Sequence, residues 1–492
     1  MKNKIVISIM AIVLTLTGCS KFLDVKPLDS IMEDELFSSI KGFNTAINGV
    51  YSELNTPAIY GENLSVGLLD VMAQYYDVST TAEHQFRYFN TYNYADSEFK
   101  KKNEEIWQKM YSLIVNLNAI VLNSDKQETM LGNTYYHLFK GEALAMRAYL
   151  HFDLLRLYGS TYSEDKDKKV IPYVIVTDRE VQPLLSNSEL LNKVIEDLLQ
   201  AKDLLAKVDP ILTEGVLNQE GTQNNYLNYR QYRMNYFAVC GLLARVYLWA
   251  GDTVNANKYA VEVISQGQKV DAEIFKFVTS DAVKNRPNYP DRVFSGEVMF
   301  ALYNSDRVNL YNRLFNYSLN PVAQLTFVGT LDDGRFKVLY PEENDYRHVS
   351  HWAKGYANNR DILYFAKFAP VSDNNGISNA YKFMMPLMRI SEMYLIAAET
   401  ATLLTEGTQY FNKVGVHRGS PEQTFQTREE LNAAIQNEYL REFIGEGQTY
   451  YYFKRLNKVA IPSPVRPGID VVQMDKVNYI MPLPDSEISQ RN

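Results

Sequence analysis

Tryptophan and cysteine are scarce in this sequence, with 3 and 2 copies among 492 residues. Two cysteines cannot build a disulfide framework. The six histidines include no set that completes a metal site with matched ligands. Glycine and proline are also sparse, at 24 and 17 residues, below their usual joint share of about 12%. Collagen-like and low-complexity chains are thereby excluded, as is a turn-rich all-β fold. Basic residues number 50 against 58 acidic ones, for a formal charge of -8. A duplex nucleic-acid binder needs a basic face, and this balance argues against one. Beyond the N-terminal segment no apolar run reaches the ~18 residues expected of a membrane span. No G-x-S-x-G elbow, H-E-x-x-H helix or Walker loop is present. Asp332, Asp333, Glu342 and Glu343 supply carboxylates, but their spacing does not define a glycosidase-like pair.

What is present begins at the N-terminus. Lys2 and Lys4 precede an apolar run over residues 5–17. The run falls short of the ~20 residues of a spanning helix and has the proportions of a secretory signal. It ends in Leu16-Thr17-Gly18-Cys19, which resembles a bacterial lipobox. Residues 1–18 are expected to be a lipoprotein signal peptide, and Cys19 the lipid anchor of a soluble, tethered body. Cys240 then lacks a partner, and its setting in Phe237-Ala238-Val239-Cys240-Gly241-Leu242-Leu243 makes it a small core residue.

Amphipathic helix dominates the rest. Apolar residues recur three or four apart over 39–54 (Phe43, Ile47, Val50, Leu54) and 104–122 (Ile106, Met110, Leu113, Leu117, Ile120). Further helices are expected at 138–158, capped by Gly159, at 190–208, stopped by Pro210, and at 235–250, 254–265, 389–405 and 428–444. Thr427 and Glu430 are spaced as a capping box. The stretch 237–260 resembles a tetratricopeptide hairpin: Ala244, Gly251, Ala256 and Ala260 let two helices approach, while Tyr247 and Tyr259 fill the gap. Residues 77–100 and 266–388 differ. They are rich in Asn, Asp, Tyr and Phe and lack a sustained helical period, so loops and short strands such as 298–302 are expected. Loops on a rigid scaffold are where binding usually lives. His348 and His351 belong to a polar loop on this reading. Residues 165–169 form a solvated loop of mixed charge, so a calcium ion there is not indicated and no cofactor is implied.

Several ordered motifs, taken together, resemble the SusD/RagB family of outer-membrane lipoproteins. They start at Cys19-Ser20-Lys21-Phe22-Leu23-Asp24 and continue through Gly42-Phe43, Gly49-Val50-Tyr51 and Trp107 to Asn116. Gly141-Glu142-Ala143-Leu144-Ala145-Met146-Arg147-Ala148-Tyr149 with Leu157-Tyr158-Gly159 forms one signature. Arg389-Ile390-Ser391-Glu392-Met393-Tyr394-Leu395 with Glu399 forms a second. Glu442-Phe443-Ile444-Gly445-Glu446-Gly447 with Lys454-Arg455-Leu456 forms a third. Tyr479-Ile480-Met481-Pro482-Leu483-Pro484 closes the series. Two positions depart from the pattern: Tyr439 and Gln448 stand where many members carry arginine.

The resemblance implies a mostly α fold: an irregular tetratricopeptide-like scaffold of helical pairs over about 30–265 and 389–460. A loop-rich lobe with short strands is inserted at about 266–388, and the whole domain spans 19–492. It also implies a non-catalytic, surface-exposed lipoprotein of the outer membrane. Such a protein captures glycan and passes it to a SusC-like TonB-dependent barrel. The signature residues Arg147, Arg389, Glu392, Glu399, Glu442 and Glu446 are read as buried ion pairs and caps between helices, not as ligand contacts.

Sugar rings bury apolar C–H faces on aromatic rings and present hydroxyls at the edge, so aromatics interleaved with planar polar groups suit them. Two segments have that texture. One is 86–94, with Arg87, Tyr88, Tyr92 and Tyr94. The other is 304–317, with Arg307, Tyr311, Asn312 and Arg313. Trp352 is the one tryptophan in the irregular lobe. These nine residues are the candidate ligand contacts, and packing inside the lobe is the competing role for each. The alternative readings of function are an oligopeptide-binding member of the same family, a surface glycan hydrolase and a protein-binding adhesin.

Overall fold

The computed structural model describes residues 28–78, 83–178, 180–217, 226–269, 272–320, 322–326, 334–357, 360–372, 376–464 and 470–491. Cys19 and the leader lie outside them, as do Asp332 and Asp333. The chain is mostly helical, with short strands in two-stranded sheets. The principal helices are α1 (Ile40–Leu54), α2 (Ser97–Lys126), α3 (Glu128–Tyr158), α4 (Asn187–Leu205), α5 (Tyr236–Trp249), α6 (Thr253–Gly267), α7 (Arg307–Leu314), α8 (Ile390–Thr400), α9 (Leu404–Val416), α10 (Arg428–Glu442) and α11 (Thr449–Arg455).

Each helix of the scaffold packs on the next in a running series. α2 lies on α3, α3 on α4, α4 on α5, α5 on α6, α6 on α8 and α8 on α9. The α5–α6 hairpin has the expected texture. Tyr247 and Tyr259 stack at 5.6 Å with planes 5° apart. Gly251 turns the chain at φ 76°, a conformation open to glycine without strain. Gly241 is needed for another reason: a Cβ there would lie 2.6 Å from the Met299 and Met388 side chains.

Helix boundaries follow their caps. Asp96 accepts from the Glu98 amide and starts α2 earlier than the apolar period suggested. Ser186 and Glu189 form a complete capping box at α4. At α10 only half of the expected box forms. Thr427 accepts from the Glu430 amide, but the Glu430 carboxylate takes the amide of Gln426 instead. The helix expected to reach residue 405 ends at Thr400, and Ala401 turns extended at ψ 138°. The Arg428 guanidinium donates to the carbonyls of Ala398 and Ala401 there, satisfying groups that a helix end leaves orphaned.

The inserted lobe holds β1 (Val298–Tyr303), β2 (Trp352–Ala357), β3 (Arg360–Phe365) and β4 (Met384–Arg389). β1 pairs antiparallel with β4, with Val298 opposite Arg389 and Tyr303 opposite Met384; β2 pairs with β3. α7 lies within 304–317, which lacked a clear period. Charges weld the lobe to the scaffold. Glu442 accepts from Arg347, Arg389 and Arg418, while Glu297 accepts from Arg418 and Glu446 from Arg389 and Lys367. All seven of these side chains are buried. The other signature ion pairs also form: Arg147 with Asp197, Glu392 with Arg245 and Glu399 with Arg455. At the C-terminus the chain returns to α2, where the Asn103 amide donates to Pro482 O and Lys100 pairs with Asp485.

Candidate functional site

A cleft of about 1190 Å³ opens where four segments meet: the end of α1, the turn at 229–233, the end of β1 with 304–306, and 376–383. It exceeds the ~300–1,000 Å³ of an ordinary small-molecule pocket. Each wall is fixed from behind. Arg230 lies fully buried between Asp209 and Glu142, and Tyr229 enters the turn in the left-handed region at φ 53°. Asn55 donates to Tyr303 O at 3.1 Å, the Asn304 amide to Phe383 O at 2.7 Å and the Tyr232 hydroxyl to Ala380 O at 3.1 Å.

Three rings form the aromatic wall. Tyr232 and Tyr303 meet edge to face at 5.7 Å, and Tyr303 lies 5.1 Å from Phe383 at 57°. Tyr303 is 52% exposed, so its ring is open to a ligand. Asn48, Asn55 and Asn379 place planar amides in the same lining, whereas Asn304 is buried and accepts from the Asp306 amide. Arg233 lies over the Tyr51 ring at 5.0 Å and donates through Nη2 to Asn48 Oδ1 at 2.6 Å, while its buried Nη1 has no hydrogen-bond partner. Lys382 donates to Asn379 Oδ1 at 2.6 Å and sits 5.2 Å from the Phe383 ring. The acid of the lining, Asp306, accepts from Asn309 and pairs with Arg313 at 3.1 Å.

The nine candidate contacts do not form one surface. Trp352 is 2% exposed and packs among Phe336, Tyr340 and Phe365, so it offers no open ring face. Tyr311 and Arg307 are likewise buried on the inner side of α7. Arg307 donates to the carbonyls of Tyr381 and Met384, and burial pushes its guanidinium down to about 10. Tyr92 and Tyr94 are partly buried and spend their hydroxyls on Met72 O and Asn478 O. Tyr88 packs partly buried against the core, and Arg87 is half-buried on the same short turn of helix. Asn312 is exposed on the outer side of α7, and Arg313 bridges Glu62 and Asp306. Trp352, Tyr311 and Arg307 thus take the competing role given for each candidate, packing inside the lobe. The cleft's residues lie in four separate stretches, and the segment 304–317 touches it through Asn304, Ser305 and Asp306.

No three His, Cys, Asp or Glu side chains among the described residues gather as metal ligands. His351 is buried against Phe294, whereas His348 lies beside Phe336 and Tyr340, so the two do not face a common point. In the 160s loop, Asp165 accepts from the Lys168 amide and Glu164 pairs with Lys476. The two departures from the signature pattern are absorbed in packing. Tyr439 stacks on Tyr452 at 4.4 Å, and Gln448 accepts from Arg156.

Fold and cleft together define a helical-repeat protein with an open, aromatic and amide-lined cleft. Two family models match the chain: one described as "Starch-binding associating with outer membrane" over residues 21–248, the other as "SusD family" over 336–491. The chain belongs to the SusD/RagB family. It is 22% identical over 455 residues to SusD-like protein P25 of Formosa agariphila, covering 84% of this chain and 81% of that one. A SusD superfamily protein of Bacteroides thetaiotaomicron superposes with a TM-score of 0.68 at 20% identity, over 92% of this chain and 98% of its own. A SusD-like carbohydrate binding protein of Bacteroides vulgatus gives 0.68 at 18% identity, over 92% and 96%. Among the described residues no helix is long and apolar enough to cross a membrane.

Proposed function

We propose that this protein is a non-catalytic, glycan-binding lipoprotein of the outer membrane that captures oligosaccharide or polysaccharide in the 1190 Å³ cleft. The observation that carries this reading is the exposed Tyr303 ring, held between Tyr232 and Phe383, with Asn48, Asn55 and Asn379 in the same lining. Ring faces take the apolar sides of sugars, and planar amides pair with hydroxyls at the edges. Membership of a family described as starch-binding, and likeness to a protein named as carbohydrate binding, support it. Cys19 anchors the body by lipid, facing outward, and the protein delivers its ligand to a SusC-like TonB-dependent barrel.

Affinity gels and calorimetry against plant, host and microbial polysaccharides and a mixed peptide digest test the reading. Retention by a glycan class, lost in Tyr303→Ala, is the expected result. Binding to peptides alone overturns the glycan reading and leaves the family untouched. Release of reducing ends from a bound glycan overturns the non-catalytic part.

A further inference from the structure

The chain is acidic as a whole, at -8, yet its cleft is not. Arg233 and Lys382 both line it. Among the described residues neither forms a salt bridge; their side-chain acceptors are the neutral amides of Asn48 and Asn379. Arg233 keeps a buried Nη1 with no hydrogen-bond partner. Asp306, on the opposite side of the account, is already occupied by Arg313 and Asn309. A third cation acts from behind the wall. Arg307 is 2% exposed, bonds only to carbonyl oxygens among the described residues and lends its field to the cleft residue Tyr232. Its own guanidinium is pushed down by burial, as expected of a cation without a close counter-ion. Charges of one sign around a concave surface with low-dielectric walls focus their field into the opening.

We infer that the cleft is built for an anionic glycan, one whose sugar units carry carboxylate or sulfate groups, with Arg233 and Lys382 as the oxyanion contacts beside the Tyr303 ring. This rests on the reading of the cleft as the glycan site. Arg233 and Lys382 line the cleft without a carboxylate partner among the described residues, and charge-assisted hydrogen bonds to an oxyanion are about twice as strong as neutral ones. Carboxylate and sulfate share this chemistry and differ in shape, so both classes of polymer belong in the test.

The detergent-extracted full chain is titrated calorimetrically with three polymers: polygalacturonate, the same polymer after reduction of its carboxyls to alcohols, and a sulfated galactan. Each titration is run at low and high salt. The expected result is binding of one of the two charged polymers at least about tenfold tighter than the reduced polymer. That binding weakens with salt, and Lys382→Gln lowers the affinity about tenfold. Lys382 is half-exposed, so its replacement keeps the fold even if Arg233→Gln does not. Preference for polygalacturonate identifies carboxylate as the recognised group; preference for the galactan identifies sulfate. Equal binding of charged and reduced polymer, lost in Tyr303→Ala, overturns the inference while keeping the cleft as the glycan site. Glycan binding that survives Tyr303→Ala, or no glycan binding, overturns the cleft reading and the inference with it.

Discussion

Arg418 and Glu442 are joined by two hydrogen bonds, Nε to Oε2 at 3.0 Å and Nη2 to Oε1 at 2.5 Å. The same carboxylate also holds Arg389 and Arg347, so one side chain of α10 neutralises guanidiniums reaching it from the lobe, from β4 and from the segment after α9. Removing one partner from a buried ionic group costs about 3–5 kcal/mol. Glu442→Gln leaves three buried guanidiniums short of charge, so a loss at the upper end of that range is expected. Urea unfolding followed by circular dichroism measures it, and a loss below about 1 kcal/mol contradicts the assignment.

Acid should undo the same weld. Burial alone would raise the carboxyl of Glu438, but Arg347 and Arg441 hold it down to about 2, against an ordinary 4.5. Glu442 is also held well below its ordinary value, by Arg418 and Arg389 against the effect of burial. A depressed carboxyl contributes stability that is complete above 4.5 and is lost as pH falls toward 2, because the unfolded chain takes up the proton first. The urea midpoint should therefore fall between pH 4.5 and 2. In Glu438→Gln that fall should be shallower.

Asp70 has the opposite sign. Burial raises its carboxyl to about 8, despite the amide of Gly445, which donates to Oδ2 at 2.6 Å. Between 3.8 and 8 the unfolded state gives up this proton while the folded state keeps it, so the group costs stability as pH rises through that window. Asp70→Asn keeps an acceptor for Gly445 and cannot titrate. The difference in melting temperature between variant and wild type should move in favour of the variant from pH 5 to pH 8. A difference that is flat with pH would contradict the shift.

Two tyrosines separate platform from core. Tyr303→Ala should weaken glycan binding about tenfold or more, as expected for an aromatic anchor, with a stability change within about 0.5 kcal/mol. Tyr311→Ala removes a side chain that is 6% exposed; by analogy with other buried aromatics it should cost about 3–5 kcal/mol. Melting curves and binding isotherms on both variants check the contrast.

Cys19→Ala should release the protein from membranes in detergent-free fractionation. A variant that still sediments with the membrane contradicts the lipid anchor.

Much of the scaffold was legible in the sequence because its helices obey one rule, an apolar face repeating every three or four residues, as in Ile106, Met110, Leu113 and Leu117. The signature charges were legible for a related reason. Arg147, Glu392 and Glu399 stand within apolar helices, and a charge there needs a partner. Which partner was not legible: Asp197, Arg245 and Arg455 lie 50, 147 and 56 residues away. The cleft was hidden for the same cause in stronger form. Tyr232, Tyr303 and Phe383 belong to three segments, and only the β1–β4 pairing and the turn at Arg230 bring them together. The burial of Tyr311 and Trp352 was not legible, because an aromatic among polar neighbours reads alike whether its ring faces water or the lobe's own core.

Phe383 stands at the head of β4, and Arg389 closes that strand inside the ionic weld. All six residues of the strand are buried. The wall that meets a ligand is thus tied, along one short buried strand, to the ion-paired cluster around Glu442. A polymer arriving at the cleft loses its own freedom but asks the protein to give up little. The entropy of ordering, which weakens many loop-built sites, falls here almost wholly on the ligand.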